Sequence, residues 1–191
     1  MDKIKLGAKP SLFPMPVLLV GTVVEGKPNF LVVSWSGIVS GNPPTISISL
    51  WTQHLSAPAI LANGTFSVNI PSIAMVEVTD YCGSFSGKEV DKSALFQLFH
   101  GALENAPMIA ECPLNMECKV SWTQENKEAE ELLIFGEIME VYCDEQHITN
   151  GAPDIAKLDP ILFSISQDSY WRLGGYLGKS FEIGKEYGKG K

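Results

Sequence analysis

The stretch Leu114-Asn115-Met116-Glu117-Cys118-Lys119-Val120-Ser121-Trp122 alternates strictly, with Leu114, Met116, Cys118, Val120 and Trp122 in one phase and Asn115, Glu117, Lys119 and Ser121 in the other. Successive side chains of a β-strand point to opposite faces, so this period of two predicts a strand with one apolar face and one wet face. The polar run 124–131 returns the chain into Leu132–Tyr142, rich in β-branched and aromatic residues, which makes the pair an antiparallel hairpin. Working outward, the same reading predicts strands at Val17–Val24, Asn29–Val33, Thr45–Leu50, Thr65–Ile70 and Ile161–Ile165. Seven short strands without regular helices between them predict a mainly β chain, closed as an antiparallel barrel rather than a parallel βαβ sheet.

Helices are few and short. Ser56 reads as the N-cap of a helix to Ala62, with Pro58 tolerated in its first turn. Asn63-Gly64 then reads as the helix stop, not as part of a glycosylation acceptor with Thr65. Further helices are expected after Ser72, with Met75 and Val76 at helical spacing, and after Asp91, with Leu95, Leu98 and Phe99 on one side. Gly37–Pro44 and Gly83–Gly87 read as loops whose backbone amides stay free for a ligand, and Gly184–Lys191 as a frayed tail.

Bulk properties exclude several classes. The 191 residues, 45% hydrophobic, suit one domain over 1–191. A net charge of −8 argues against a nucleic-acid partner, which needs clustered Lys and Arg. No signal-peptide core and no apolar run of roughly 18 residues occurs, so the expectation is a cytoplasmic chain without a membrane partner. His54, His100 and His147 lie far apart, and the four cysteines lack C-x-x-C spacing, so no metal site is expected. G-x-S-x-G, the phosphate-binding P-loop and G-x-G-x-x-G are all absent, so a nicotinamide would visit rather than occupy a dinucleotide-binding domain.

The run Lys27-Pro28-Asn29-Phe30-Leu31-Val32-Val33-Ser34-Trp35-Ser36-Gly37, followed by Asn42-Pro43-Pro44-Thr45 through Leu50, resembles the flavoredoxin-like branch of the flavin reductase family. Further fragments recur in the same order: Phe66 to Pro71, Asp80-Tyr81-Cys82-Gly83, Ser86-Gly87, Asp91-Lys92, Glu111-Cys112-Pro113, Glu117-Cys118, and Leu173-Gly174 through Gly178-Lys179. Their ordered spacing covers nearly the whole chain.

The resemblance implies a split antiparallel Greek-key β-barrel with a few short helices, assembled as a homodimer, with FMN at the barrel rim. In it Asn29, Trp35, Ser56 and Lys92 match flavin-contacting positions, with Ser34 and Ser36 beside the ring and Phe163 in a later contacting strand. By residue type alone Trp35 reads as a core aromatic and Lys92 as a solvated helix residue. The phosphate is assigned to Ser56 and Lys92, with His54 left open. Asn69 and Ser86 are ribityl or phosphate donors, and Cys82 a thiol packed beside the site. Tyr170 and Trp171 either line the substrate mouth or close the barrel or a dimer contact. The implied chemistry is hydride transfer from NAD(P)H, a transient co-substrate, through FMN to an acceptor, with no catalytic side chain nominated. The alternative is an electron carrier that meets a redox protein partner.

Overall fold

The structure, a computed structural model, describes residues 1–185 and 187. Seven strands form one antiparallel sheet: β1 (Leu18–Val24), β2 (Lys27–Val33), β3 (Ser36–Gly41), β4 (Pro44–Trp51), β5 (Thr65–Ile70), β6 (Leu114–Asn126) and β7 (Glu131–Cys143). Their order across the sheet is β2-β1-β5-β6-β7-β4-β3. The edge strands β2 and β3 are joined by only Ser34 and Trp35. At ~3.6 Å of reach per residue, the two edges must approach within about 11 Å at this corner. The sheet therefore curls on itself into a split antiparallel Greek-key barrel with its seam between β2 and β3, and Ser49 N donates to the Trp35 carbonyl at 2.9 Å, carrying the β3–β4 ladder into this corner.

The barrel interior is filled by alternate residues of each strand, among them Leu18 and Val20 of β1, Ile46, Ile48 and Leu50 of β4, Phe66 of β5 and Ile134 of β7. A second cluster, with Leu19, Phe30, Cys82 and Ile109, lies on the other face of β1 and β2. Because β1 is buried on both faces, it reads as a continuous apolar run rather than an alternating one.

Six of the expected strands are present in the main sheet. The expected loop Gly37–Pro44 is instead mostly edge strand β3, paired with β4 from Ser36↔Ile48 to Gly41↔Pro44. The expected strand Ile161–Ile165 shortens to Leu162–Ser164 and joins Met15–Pro16 and Ser169–Trp171 in a separate three-stranded sheet. The wet face of Leu114–Trp122 is also corrected, because Asn115 and Glu117 are buried. The segment before β6 covers them. Glu117 accepts from Leu103 N at 2.9 Å and from the Tyr142 hydroxyl at 3.0 Å, and Asn115 donates to the Ile109 carbonyl at 2.8 Å.

Helix α1 spans Ser56–Asn63 and ends at Gly64, whose left-handed backbone lets its N–H reach the Ile60 carbonyl at 2.9 Å. Helix α2 runs Val76–Ser84, so Gly83, expected in a loop, lies inside it. The helix expected after Asp91 is a single turn, Lys92–Leu95, with Asp91 accepting from Ser93 N at 3.0 Å. Leu98–Phe99 then pairs as a strand with Met108–Ile109, and the Gln97 amide is claimed by Glu111. A last short helix, α3, is Ile155–Leu158. The four tryptophans, at 35, 51, 122 and 171, all stand at the surface. Of the expected tail Gly184–Lys191, residues 186 and 188–191 lie outside the described residues.

Candidate functional site

At one end of the barrel, β2, the turn leading into α1 and the segment following α2 converge. Asn29 of β2 is buried and donates from Nδ2 to Ser56 Oγ at 2.8 Å. Ser56 does not cap α1 as expected. It is the first helical residue, Leu55 before it is already helical, and no side chain caps the end. Gly87 passes so close to Asn29 that a Cβ there would overlap Asn29 Oδ1 and lie 3.2 Å from Leu55 Cδ2.

Lys92 is buried rather than solvated, and its Nζ donates to the Cys82 carbonyl at 2.7 Å. It thus satisfies a free carbonyl in the last turn of α2, where a cation also suits the helix dipole. Burial pulls the Lys92 pKa down, partly opposed by Cys82. Burial likewise raises the Cys82 thiol, against the pull of Lys92, so Cys82 is no nucleophile. His54 sits edge-on to Trp51, ring centroids 5.9 Å apart. Burial lowers its pKa, with Glu131 opposing and Lys92 reinforcing, so at neutral pH it is an uncharged hydrogen-bonding ring. Ser86 Oγ accepts from Lys88 N at 3.2 Å.

These six residues, Asn29, His54, Ser56, Cys82, Ser86 and Lys92, line one cleft of about 360 Å³, with Leu31, Val32 and Trp51 as apolar wall. Through Asn29, Leu55, Gly87, Glu89 and Lys92 it adjoins a second cleft of about 600 Å³ that reaches Lys27 and Lys88.

Ser34, Trp35 and Ser36 lie apart from these, at the seam. There they line a mainly apolar cleft of about 380 Å³ with Ser47 and Ser49 of β4, Leu133 of β7 and the N-terminal segment around Pro10–Pro16. Trp35 is 46% exposed, so it is no core aromatic, and Ser36 Oγ is buried without a hydrogen-bond partner in the structure. Phe163 stands in a fourth pocket with Phe13, Pro14 and Trp171. Pro14 also lines the seam cleft.

Asn69 joins none of them. It is fully buried, donates to the Leu19 carbonyl at 2.8 Å, and accepts from Ile109 N at 3.0 Å and Asn115 Nδ2 at 2.8 Å. Its amide braces β1, β5 and β6, so the structure sets this expected ligand donor behind the clefts rather than on their walls. Tyr170 likewise fastens the small sheet to α2, its hydroxyl donating to Asp80 Oδ1 at 2.9 Å. Sequence reasoning missed Trp51, Lys27 and Lys88. Trp51 continues the outward phase of Thr45, Ser47 and Ser49, and that alternation was its available signal. Lys27 and Lys88 carried none. Among the described residues no three or more His, Cys, Asp or Glu gather as a metal site, and no helix is long and apolar enough to cross a membrane.

The model of the flavin reductase like domain matches residues 10–167. The chain belongs to the flavin reductase-like family. This family member is 43% identical to the flavoredoxin of Methanosarcina acetivorans, whose crystal structure matches with a TM-score of 0.94 over 98% of this chain and 100% of that one. It is 35% identical to the flavoredoxin of Desulfovibrio vulgaris, with a TM-score of 0.89 over 96% of this chain and 100% of that one. It is also 27% identical to an uncharacterized protein of Archaeoglobus fulgidus, over 75% of this chain and 80% of that one. The flavin reductase-like chain is thus a flavoprotein by family, and its clefts are candidates for the flavin.

Proposed function

We propose that this chain binds FMN and uses it to carry electrons from NADH or NADPH to an acceptor. The observation that carries the reading is the cleft holding Asn29, Ser56, Ser86 and Lys92 together in an otherwise acidic protein. Its contents fit a phosphorylated, amphipathic ligand. Lys92 is a buried cation with donors to spare, Asn29 and Ser86 are neutral hydrogen-bonders, and Leu31, Val32 and Trp51 supply an apolar wall. At the seam, the unpartnered Ser36 hydroxyl and the exposed Trp35 ring form an equivalent donor-and-face pair.

FMN, when bound, supplies reversible hydride and one-electron chemistry. The chain's own part is binding and orientation. Ser56 fixes the Asn29 carboxamide, Gly87 leaves it room, and Lys92 holds a positive charge where a phosphate needs it. Trp35 offers an aromatic face, and no side chain is assigned as acid or base. On this reading the protein is cytoplasmic and homodimeric. A second reading, an electron carrier that meets a redox protein instead of a nicotinamide, is favoured by the net charge of −8, which suits a basic partner.

Anaerobic mixing of the FMN-loaded protein with NADH and with NADPH tests the first reading. Bleaching of the flavin absorbance within minutes supports it. Inertness to both nicotinamides, with rapid reduction by a reduced ferredoxin-type protein, selects the second. A preparation that neither contains nor takes up FMN sinks both.

A further inference from the structure

Both ends of the chain leave the barrel as arms that bury almost nothing on it. Residues 1–9 are exposed throughout, with Ile4 and Leu6 open to solvent. Beyond Trp171 the chain runs without regular structure into a turn over 180–185. That turn is held internally: Ile183 N donates to the Lys179 carbonyl at 3.0 Å, and Lys179 pairs with Glu182 at 2.9 Å. It nevertheless presents Leu177 and Phe181 at 90% and 94% exposure. A turn that orders itself and aims its apolar side chains at water is built to be covered.

The barrel leaves matching side chains open. Ile38 and Val39 on edge strand β3, Trp122 on β6, and Met139 and Val141 on β7 are all exposed. In total the chain exposes 12051 Å². A compact monomer of 20.8 kDa exposes about 8,900 Å². The excess, roughly 3,100 Å² per chain or about 6,200 Å² for a pair, reaches the upper end of what obligate homodimers bury.

Charge is divided in the same way. Residues 1–9 carry three Lys against one Asp, and residues 172–191 four Lys and one Arg against two Glu, a net +5 on the arms. The whole chain is −8, which leaves −13 on residues 10–171. Basic, apolar-tipped arms thus face an acidic barrel with apolar side chains open, and all of it is carried by one chain. Self-complementarity of this kind is what a twofold pairing of identical chains uses. Both arms lie at or beyond the ends of the family domain at 10–167, yet the Methanosarcina flavoredoxin crystal structure superposes on 98% of this chain.

We propose that the terminal arms are exchanged between two copies of this chain, each clasping the acidic barrel of the other. The inference rests on the homodimer of the functional reading and names its clamp. Sedimentation of the intact, FMN-loaded protein against two variants tests it: Leu177→Asp/Phe181→Asp, and Lys3→Glu/Lys5→Glu/Lys9→Glu. These positions are exposed, so both variants keep the barrel, checked by far-UV circular dichroism. The intact protein is expected to be dimeric, with the first variant weakening dimerisation by about 100-fold or more and the second by about tenfold, less so in high salt. A dimer whose dissociation constant neither variant changes overturns the arm exchange while leaving the dimer standing. An intact protein that is monomeric at high concentration overturns both.

Discussion

Gly87→Ala tests how the Asn29 carboxamide is held. The backbone angle at Gly87 is one that alanine adopts, so the whole effect comes from the added methyl, which would overlap Asn29 Oδ1 and lie 3.0 Å from Asn29 Cγ. Leu55 Cδ2, at 3.2 Å, is the end of a flexible side chain and can yield. Asn29 is buried and tied to Ser56 at 2.8 Å, so it cannot yield without giving up that bond. Overpacking of this kind costs ~1–3 kcal/mol, and a lost buried hydrogen bond ~1 kcal/mol. We expect a loss of about 2 kcal/mol, a fall of roughly 4–8 °C in Tm for a chain of this size. FMN affinity, read by quenching of flavin fluorescence, should fall about tenfold or more. Asn29→Ala removes the group the methyl strikes, so adding Gly87→Ala to it should cost almost nothing further. The coupling between the two substitutions should be about 1–2 kcal/mol. A Gly87→Ala protein as stable as the parent, or a double variant that loses the sum of the two single effects, would refute the reasoning.

Lys92→Met removes the bond to the Cys82 carbonyl and the buried charge of the cleft. It should lower FMN affinity at least about tenfold while leaving riboflavin affinity nearly unchanged, because only FMN carries the phosphate; equal losses for both would end the phosphate assignment. Burial holds the His54 pKa below its usual 6.5, so on acidification the unfolded chain takes up a proton that the folded ring resists. Stability should therefore drop as pH falls below about 6.5, and His54→Gln should flatten that part of the denaturation profile; identical pH profiles for parent and variant would refute it.

The alternation of Leu114–Trp122 revealed a strand but not what lies over it. Asn115 and Glu117 look solvated in sequence, yet they are buried because Leu103 N, the Ile109 carbonyl and the Tyr142 hydroxyl come from elsewhere to bond them. Strand β3 was hidden for a related reason. Its Gly and Ser residues have little intrinsic strand preference, and pairing with β4 holds them extended. Ser56 stands where an N-cap belongs, but Asn29, 27 residues earlier, bonds its hydroxyl. In the site, ordered family fragments named Asn29, His54, Ser56, Cys82, Ser86 and Lys92, which line one cleft, alongside Ser34, Trp35, Ser36 and Phe163, which line others. They could not separate Asn69 from them, since a bracing asparagine and a ligand-holding one are the same letter until their partners are seen.

All four tryptophans lie outside the core, each 46% to 56% exposed: Trp35 at the seam cleft, Trp51 on the wall of the Asn29–Lys92 cleft, Trp122 on the open side of β6, and Trp171 beside Phe163. About half of each indole is open to water in the native state, so a ligand or partner that covers it changes its surroundings directly. Ultraviolet emission from this chain is accordingly expected to report occupancy and docking as well as folding.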